Sequence, residues 1–274
     1  MDYHAPGSLD EALGLLARKN MRVIAGGTDV YPAMAAGGPG TNLLDVTGIA
    51  GMRGIDRTSD GWRIGAATTW SDVARAELPR AMAGLQAAAR QVGSLQIQNA
   101  GTVGGNICNA SPAADGVPPL LTLGAEVEVA GPGALRRIPL QAFLKGVRQT
   151  ALAPGEMVVA LHLPEPPVGA VGLFDKLGSR EYLVISIAMV AMVVGCDAQG
   201  QIERARVAVG ACSPIAMRLE GLEAEMIGKR PDEVVVEPDH LAGLRPIDDV
   251  RGSAGYRLEA VREMIRRMLA EGTP

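Results

Sequence analysis

Residues 99–115 read Asn-Ala-Gly-Thr-Val-Gly-Gly-Asn-Ile-Cys-Asn-Ala-Ser-Pro-Ala-Ala-Asp, a run of small, hydroxyl and amide side chains with three glycines and one carboxylate. The chemistry open to such a stretch belongs mainly to its backbone. Glycine lets the main chain approach a ligand closely, and successive exposed N–H groups cradle an anion such as a pyrophosphate. The composition predicts a loop between apolar segments. A second glycine turn, Ala25-Gly26-Gly27-Thr28-Asp29, follows a short apolar run. Two such turns in one chain point to one ligand with a phosphate middle, held from two sides.

Other chemistries find little support. Cys108, Cys196 and Cys212 are scattered and form no C-x-x-C pair, which argues against zinc or iron–sulfur ligation and fits a reducing compartment. Cys108 has no base paired with it in sequence and reads as a small buried filler. His4, His162 and His240 lie far apart. No Ser–His–Asp arrangement, paired catalytic carboxylates or P-loop is present, and Gly-x-Gly-x-x-Gly is absent at the strand–helix turns. A net charge of −4 and 3% aromatic residues speak against nucleic acid. The N-terminus lacks a signal-peptide pattern, and the apolar run Leu183–Val194 is too short to span a bilayer. A cytoplasmic protein with no membrane partner is expected.

The elements that must position the two turns can be read in order. The chain has 274 residues, 47% of them hydrophobic, enough for one large or two to three small domains. Ser8 and Glu11 form a capping box opening a helix with Leu9, Leu13 and Leu16 on one face. Met21–Ala25 and Asn42–Val46 read as short strands, and this first α/β unit ends near residue 55. Trp62–Ala66 reads as a strand, with Thr69 or Ser71 capping the next helix, and Pro79–Val92 is helical. Val127 and Val129 alternate with Glu126 and Glu128 in a half-buried strand. Met157–Leu163 is a further strand, closed by the linker Pro164-Glu165-Pro166-Pro167. Beyond it, β-rich runs flank the hairpin signal Asp197-Ala198-Gln199-Gly200, and helical patterns cover Ile215–Ile227 and Ser253–Leu269. Arg262, Arg266 and Arg267 fall on the exposed side of the last helix. Two α/β domains followed by an α+β domain are expected.

Five ordered segments carry a resemblance. They are Ala25-Gly26-Gly27-Thr28-Asp29, Thr102-Val103-Gly104-Gly105-Asn106, Ser111-Pro112-Ala113-Ala114-Asp115, Asp175-Lys176-Leu177-Gly178-Ser179-Arg180 and residues 248–257, Asp-Asp-Val-Arg-Gly-Ser-Ala-Gly-Tyr-Arg. The chain resembles the flavin-binding subunit of the molybdenum hydroxylases, the group of xanthine dehydrogenase and aerobic carbon monoxide dehydrogenase. The resemblance implies an α+β chain: a two-domain FAD-binding fold of the PCMH type, then a C-terminal domain with a three-stranded antiparallel sheet and a helical bundle. The corresponding divisions are 1–55, 56–168 and 169–274. It also implies a heteromeric oxidoreductase. A large partner would hold the molybdenum cofactor and the substrate, and a small partner two [2Fe–2S] clusters. This chain would take electrons on FAD and pass them to an external acceptor.

The same resemblance implies a cofactor-binding set with no catalytic side chain and no metal ligand. Ile24, Ala25, Gly26, Gly27, Thr28, Asp29 and Val30 would wrap the pyrophosphate, against the plainer reading of a tight turn capped by Asp29. Gly101, Thr102, Val103, Gly104, Gly105 and Asn106 would form a second phosphate and ribityl cradle. Asn109 and Asp115 would lie near the FAD, Asp115 accepting from hydroxyls, or else Asp115 is a turn residue after Pro112. Lys176 would stand near the flavin ring or a phosphate, or be a surface lysine. Val92, Val158 and Ile185 would line the cofactor, although apolar residues at such spacing are often plain core. Tyr182 would screen a flavin face or merely pack.

Departures from the family pattern matter too. The cysteines are too few for the extra [4Fe–4S] insertion of some relatives. Leu183 and Val184 are apolar where some relatives carry a carboxylate, so NAD⁺ use does not carry over. Two other readings stand beside the first: a stand-alone flavoprotein, disfavoured because no histidine lies near either glycine turn, and a non-catalytic assembly subunit.

Overall fold

The computed structural model describes residues 2–18, 21–35 and 42–272. The N-terminal unit comprises β1 (Tyr3–His4), α1 (Leu9–Leu16), β2 (Met21–Ile24), α2 (Val30–Ala35) and β3 (Asn42–Asp45). Its strands form a parallel sheet in the order β1-β3-β2, with Ile24 opposite Asp45. Ser8 caps α1 through the Glu11 N–H at 3.3 Å, whereas the Glu11 carboxylate accepts from Gly7, one residue earlier than a regular capping box. Ala12 on the inner face of α1 is fully buried. The helix α2, directly after the first glycine turn, has no periodic signal in the sequence.

The middle unit follows. It contains β4 (Ile55–Thr58), β5 (Gly61–Gly65), α3 (Trp70–Arg75), α4 (Ala83–Gln91), α5 (Leu95–Ala100), α6 (Val103–Asn109) and α7 (Val117–Thr122). It continues with β6 (Glu126–Gly131), β7 (Ala134–Pro139), α8 (Leu140–Phe143), β8 (Leu144–Gly146), β9 (Gln149–Thr150) and β10 (Met157–Pro164). Its sheet is antiparallel, in the order β4-β5-β10-β6-β7, so this unit is α+β and not the α/β unit expected. Val127 and Val129 are fully buried on β6, as the alternation with Glu126 and Glu128 requires. Thr69 caps α3 in a complete box with Asp72, which also holds Arg53 at 2.9 Å.

Residues 99–115 are not one loop. Ser94 caps α5 through the Ile97 N–H, Thr102 caps α6 through the Gly105 N–H, and α6 ends at Ala110 in the left-handed region, φ +45°. The caps override the glycines' poor helix propensity. Leu120–Leu123 likewise falls largely in α7, whose first turn admits Pro118 because N–H groups there need no intrahelical partner.

The C-terminal unit has β11 (Val171–Leu177), β12 (Ala188–Cys196), β13 (Ile202–Gly210) and β14 (Met217–Arg218), then α9 (Glu220–Met226) and α10 (Ala254–Gly272). Three long antiparallel strands carry the sheet, and the short β14 joins at the β13 edge. Residues 215–219 are therefore not helical as expected; α9 begins only at Glu220. The hairpin between β12 and β13 closes on Asp197, whose Oδ1 accepts from Gln199 and Gln201, both at 2.9 Å. On α10, Val261, Ile265 and Leu269 face the core of this unit together with Met264 and Met268. The α4 helix packs on β11, which ties the middle unit to the C-terminal sheet.

Candidate functional site

The first glycine turn begins where β2 stops. Gly27 takes φ +68°, a region L-residues avoid, and a Cβ on it would also meet the Tyr31 ring at 2.4 Å. Gly26 lies against the second glycine segment: a Cβ there would sit 1.8 Å from the Ala100 carbonyl oxygen. The two segments are thus in backbone contact. The N–H groups of Gly26, Gly27, Thr28 and Asp29 make no hydrogen bond to any described group. Four consecutive free donors on a turn form a concave site for an anion.

The second segment is built differently. Val103 N–H donates to Thr68 O and Gly104 N–H to Ala66 O, both at 2.9 Å. Gly105 N–H donates to Thr102 Oγ1 at 3.0 Å, and Asn106 N–H to Thr102 O at 3.0 Å. Gly104 is buried where a Cβ would meet Ala66 at 2.7 Å. Asn106 presents a buried Oδ1 with no hydrogen-bond partner. An unsatisfied buried acceptor costs roughly 1–3 kcal/mol, and a ligand hydroxyl or N–H would satisfy it.

Both segments border a cleft of about 520 Å³, within the range of small-molecule sites. Ile24, Ala25, Gly26, Gly27, Thr28, Asp29 and Val30 form one wall. Gly101, Thr102, Gly105, Asn106 and Asn109 form the other, and Val92 closes one side. The structure brings these residues together around one cavity. Val103 and Gly104 stand behind the wall in the core, and Val158 is buried on β10. Trp70, Ile97, Cys108, Arg22 and Arg148 also line the cleft and were not expected there. Trp70, one of two tryptophans in the chain, was detectable by its rarity. Arg148 gives no sequence signal, because it sits at the tip of the β8–β9 hairpin at φ +59° without a glycine to mark it.

Asp115 and Lys176 form a buried pair next to the cleft. Lys176 Nζ lies 2.6 Å from Asp115 Oδ2 and 3.2 Å from Gln91 O, the residue before Val92. Ser186 Oγ donates to Asp115 Oδ1 at 2.7 Å. The side chains are 3% and 9% exposed for Lys176 and Asp115. Burial holds the Asp115 carboxyl above the usual carboxylate range, against the opposing pull of Lys176 and Ser186. Lys176 is thus no surface lysine, and the pair is absent from the cleft lining itself. Ile185 is exposed at the rim of a separate cavity of about 320 Å³ that Ser111, Ser186 and Arg257 also line. Tyr182 lies on the exposed turn before it and lines neither cavity. Cys108 is exposed on the cleft and so is not the buried filler expected of it, while desolvation by the nearby protein pushes its thiol up to about 12.

No group of His, Cys, Asp and Glu among the described residues could hold a metal ion, and no described helix is long and apolar enough to cross a membrane.

Residues 1–166 match the family model for the FAD-binding domain in molybdopterin dehydrogenase, and residues 175–272 that for the CO dehydrogenase flavoprotein C-terminal domain. The chain is 30% identical to the xanthine dehydrogenase FAD-binding subunit of Escherichia coli O157:H7, covering 98% of this chain and 94% of that one. It is 28% identical to the carbon monoxide dehydrogenase medium chain of Hydrogenophaga pseudoflava, covering 98% and 95%. Its fold superposes on a chain of the Cu,Mo-CO dehydrogenase crystal structure with a TM-score of 0.89 at 27% identity, over 97% and 95% of the two chains. For quinoline 2-oxidoreductase of Pseudomonas putida 86 the TM-score is 0.87 at 25% identity, over 99% and 96%. The FAD-binding family model spans more than half of the chain and the similar chains cover nearly all of it, so the chain belongs to the FAD-binding subunits of the molybdopterin dehydrogenases.

Proposed function

We propose that the cleft between the two glycine segments binds FAD, and that the chain is the electron-transfer subunit of a heteromeric molybdenum hydroxylase. The observation that carries this reading is the row of four N–H donors from Gly26 to Asp29, without a partner among the described residues, in one cleft with Asn106, whose Oδ1 is unsatisfied. The donors suit phosphate oxygens, and the acceptor suits a ribityl or ribose hydroxyl. The Thr28 hydroxyl adds a donor at the first turn. Trp70 and Val92 supply apolar wall that keeps water from the bound ring systems. Asp115, held by Lys176 and Ser186, fixes a polar network behind the Val92 side. When bound, FAD supplies the redox chemistry, taking electrons singly and releasing them singly or in pairs.

The partners in this reading are a large subunit with the molybdenum cofactor and a small subunit with [2Fe–2S] clusters. An external acceptor receives the electrons, and the assembly works in the cytoplasm. The divisions near residues 55 and 168 follow the change from parallel to antiparallel sheet and the proline-rich link after β10. The test is direct. The purified full chain is expected to show a flavin absorption spectrum and to release FAD on denaturation. A folded, colourless chain that takes up no added FAD overturns the reading.

A further inference from the structure

Arg148 stands opposite the first glycine turn. Its backbone N–H donates to Ala110 O at 2.9 Å, and its guanidinium bonds to the Asn109 side chain and approaches Asn109 O at 3.5 Å. Nη1 also lies 3.9 Å from Asp29 Oδ1, across the cleft. The residue adopts φ +59°, a conformation that costs free energy for any side chain larger than glycine. The backbone bond to Ala110 O and the side-chain bond to Asn109 place the guanidinium at the end of α6, on the cleft.

Charge gives the position its meaning. Among the described residues lining the cleft, Arg22 and Arg148 are cationic and Asp29 is anionic. An anion seated on the N–H groups of Gly26–Asp29 would lie beside the Asp29 carboxylate and be repelled by it. The Arg148–Asp29 contact is loose, with both side chains more than half exposed at 57% and 56%, so little stability is lost when it opens. A guanidinium fork bonds phosphate oxygens bidentately and strongly.

We propose that Arg148 clamps the pyrophosphate of the bound dinucleotide over the first glycine turn, exchanging Asp29 for the phosphate oxygens as the ligand enters. This rests on the FAD reading of the cleft and adds a residue from the β8–β9 hairpin to the binding set. Asn109 then acts as the positioning residue that keeps the guanidinium aimed inward.

The test is FAD titration of the deflavinated full chain, read by quenching of FAD fluorescence, with the apo melting temperature recorded for each variant. Arg148→Gln is expected to weaken FAD roughly ten- to a hundredfold, the span for losing charge-assisted hydrogen bonds, with the apo melting temperature unchanged. Arg148→Lys keeps the charge without the fork and should fall between. Adding Asp29→Asn to Arg148→Gln should restore part of the affinity, since a repelling carboxylate is removed from the same phosphates. The gain from Asp29→Asn should be larger in the Arg148→Gln background than in the wild type, whereas a merely structural role for Arg148 would give equal gains in both. Unaltered FAD affinity in Arg148→Gln, or a loss that Asp29→Asn deepens, overturns the clamp while leaving the FAD site standing. A wild-type chain that binds no FAD overturns the parent reading and the clamp with it.

Discussion

The two glycine segments share composition and touch each other, yet their backbones do opposite things. From Gly26 to Asp29 the N–H groups have no partner among the described residues. From Val103 to Asn106 every N–H is bonded within the protein, to Thr68, Ala66 and Thr102. The first segment leaves its donors open to a ligand. The second uses its glycines to pack: Gly104 lets α6 press onto Ala66. On the cleft side it contributes the side chains of Thr102, Asn106 and Asn109. Glycine content alone therefore does not make a phosphate cradle; the deciding property is whether the protein has already taken the donors, here through the Thr102 cap and the Ala66 and Thr68 carbonyls.

Gly26→Ala should break this division most visibly. The new methyl group would overlap the Ala100 carbonyl at 1.8 Å, and both surfaces are backbone, so neither yields by a rotamer change. Overpacking costs typically about 1–3 kcal/mol and more where the facing atoms cannot move. About 3 kcal/mol charged to binding is a loss on the order of a hundredfold. FAD content and the dissociation constant of the refolded chain measure it. Retention of FAD at wild-type affinity would mean that the contact between the segments does not shape the site. Gly104→Ala should separate the roles in the other direction. Its clash with Ala66 at 2.7 Å should lower unfolding stability by about 1–3 kcal/mol, read from urea denaturation, with FAD affinity of the folded protein altered less than about threefold. Equal losses of affinity in both variants would show the segments to be one cradle after all.

The same contrast marks what the sequence could and could not disclose. The strand Glu126–Gly131 and the cap at Thr69 were legible because alternation and capping are local. The first turn was legible because a strand runs straight into paired glycines. The helix α6 was not, since its stability comes from the Thr102 cap and from burial of Val103 and Ile107, both of which need the folded context to outweigh glycine's propensity. The antiparallel order of the middle sheet was also hidden: β10 inserts between β5 and β6, a pairing set by segments far apart in the chain. Lys176 was singled out by resemblance, but its pairing with Asp115 across 61 positions has no local trace. Arg148 was missed because its left-handed backbone is imposed by Ala110 and the hairpin, not by its own residue type.

Cys108 offers the finest division between the two segments, because among the described cysteines it is the one that lines the cleft and it belongs to the segment assigned to packing. Surrounding protein pushes its thiol up to about 12, above the ordinary cysteine value of roughly 8.5. At pH 8 the thiolate fraction is then on the order of 10⁻⁴, and thiolate is the reactive form. Alkylation by iodoacetamide at pH 8, followed by mass spectrometry of the peptide, should run roughly a thousandfold slower than for an unperturbed cysteine. Bound FAD should slow it further, since Cys108 lines the cleft. Raising the pH toward 10 should speed the reaction about tenfold per unit, because each unit multiplies the small thiolate fraction by ten while the group stays below its pKa. Fast labelling at pH 8 with a flat pH profile would mean an activated thiol, and a covalent flavin link through Cys108 would then become the reading to pursue.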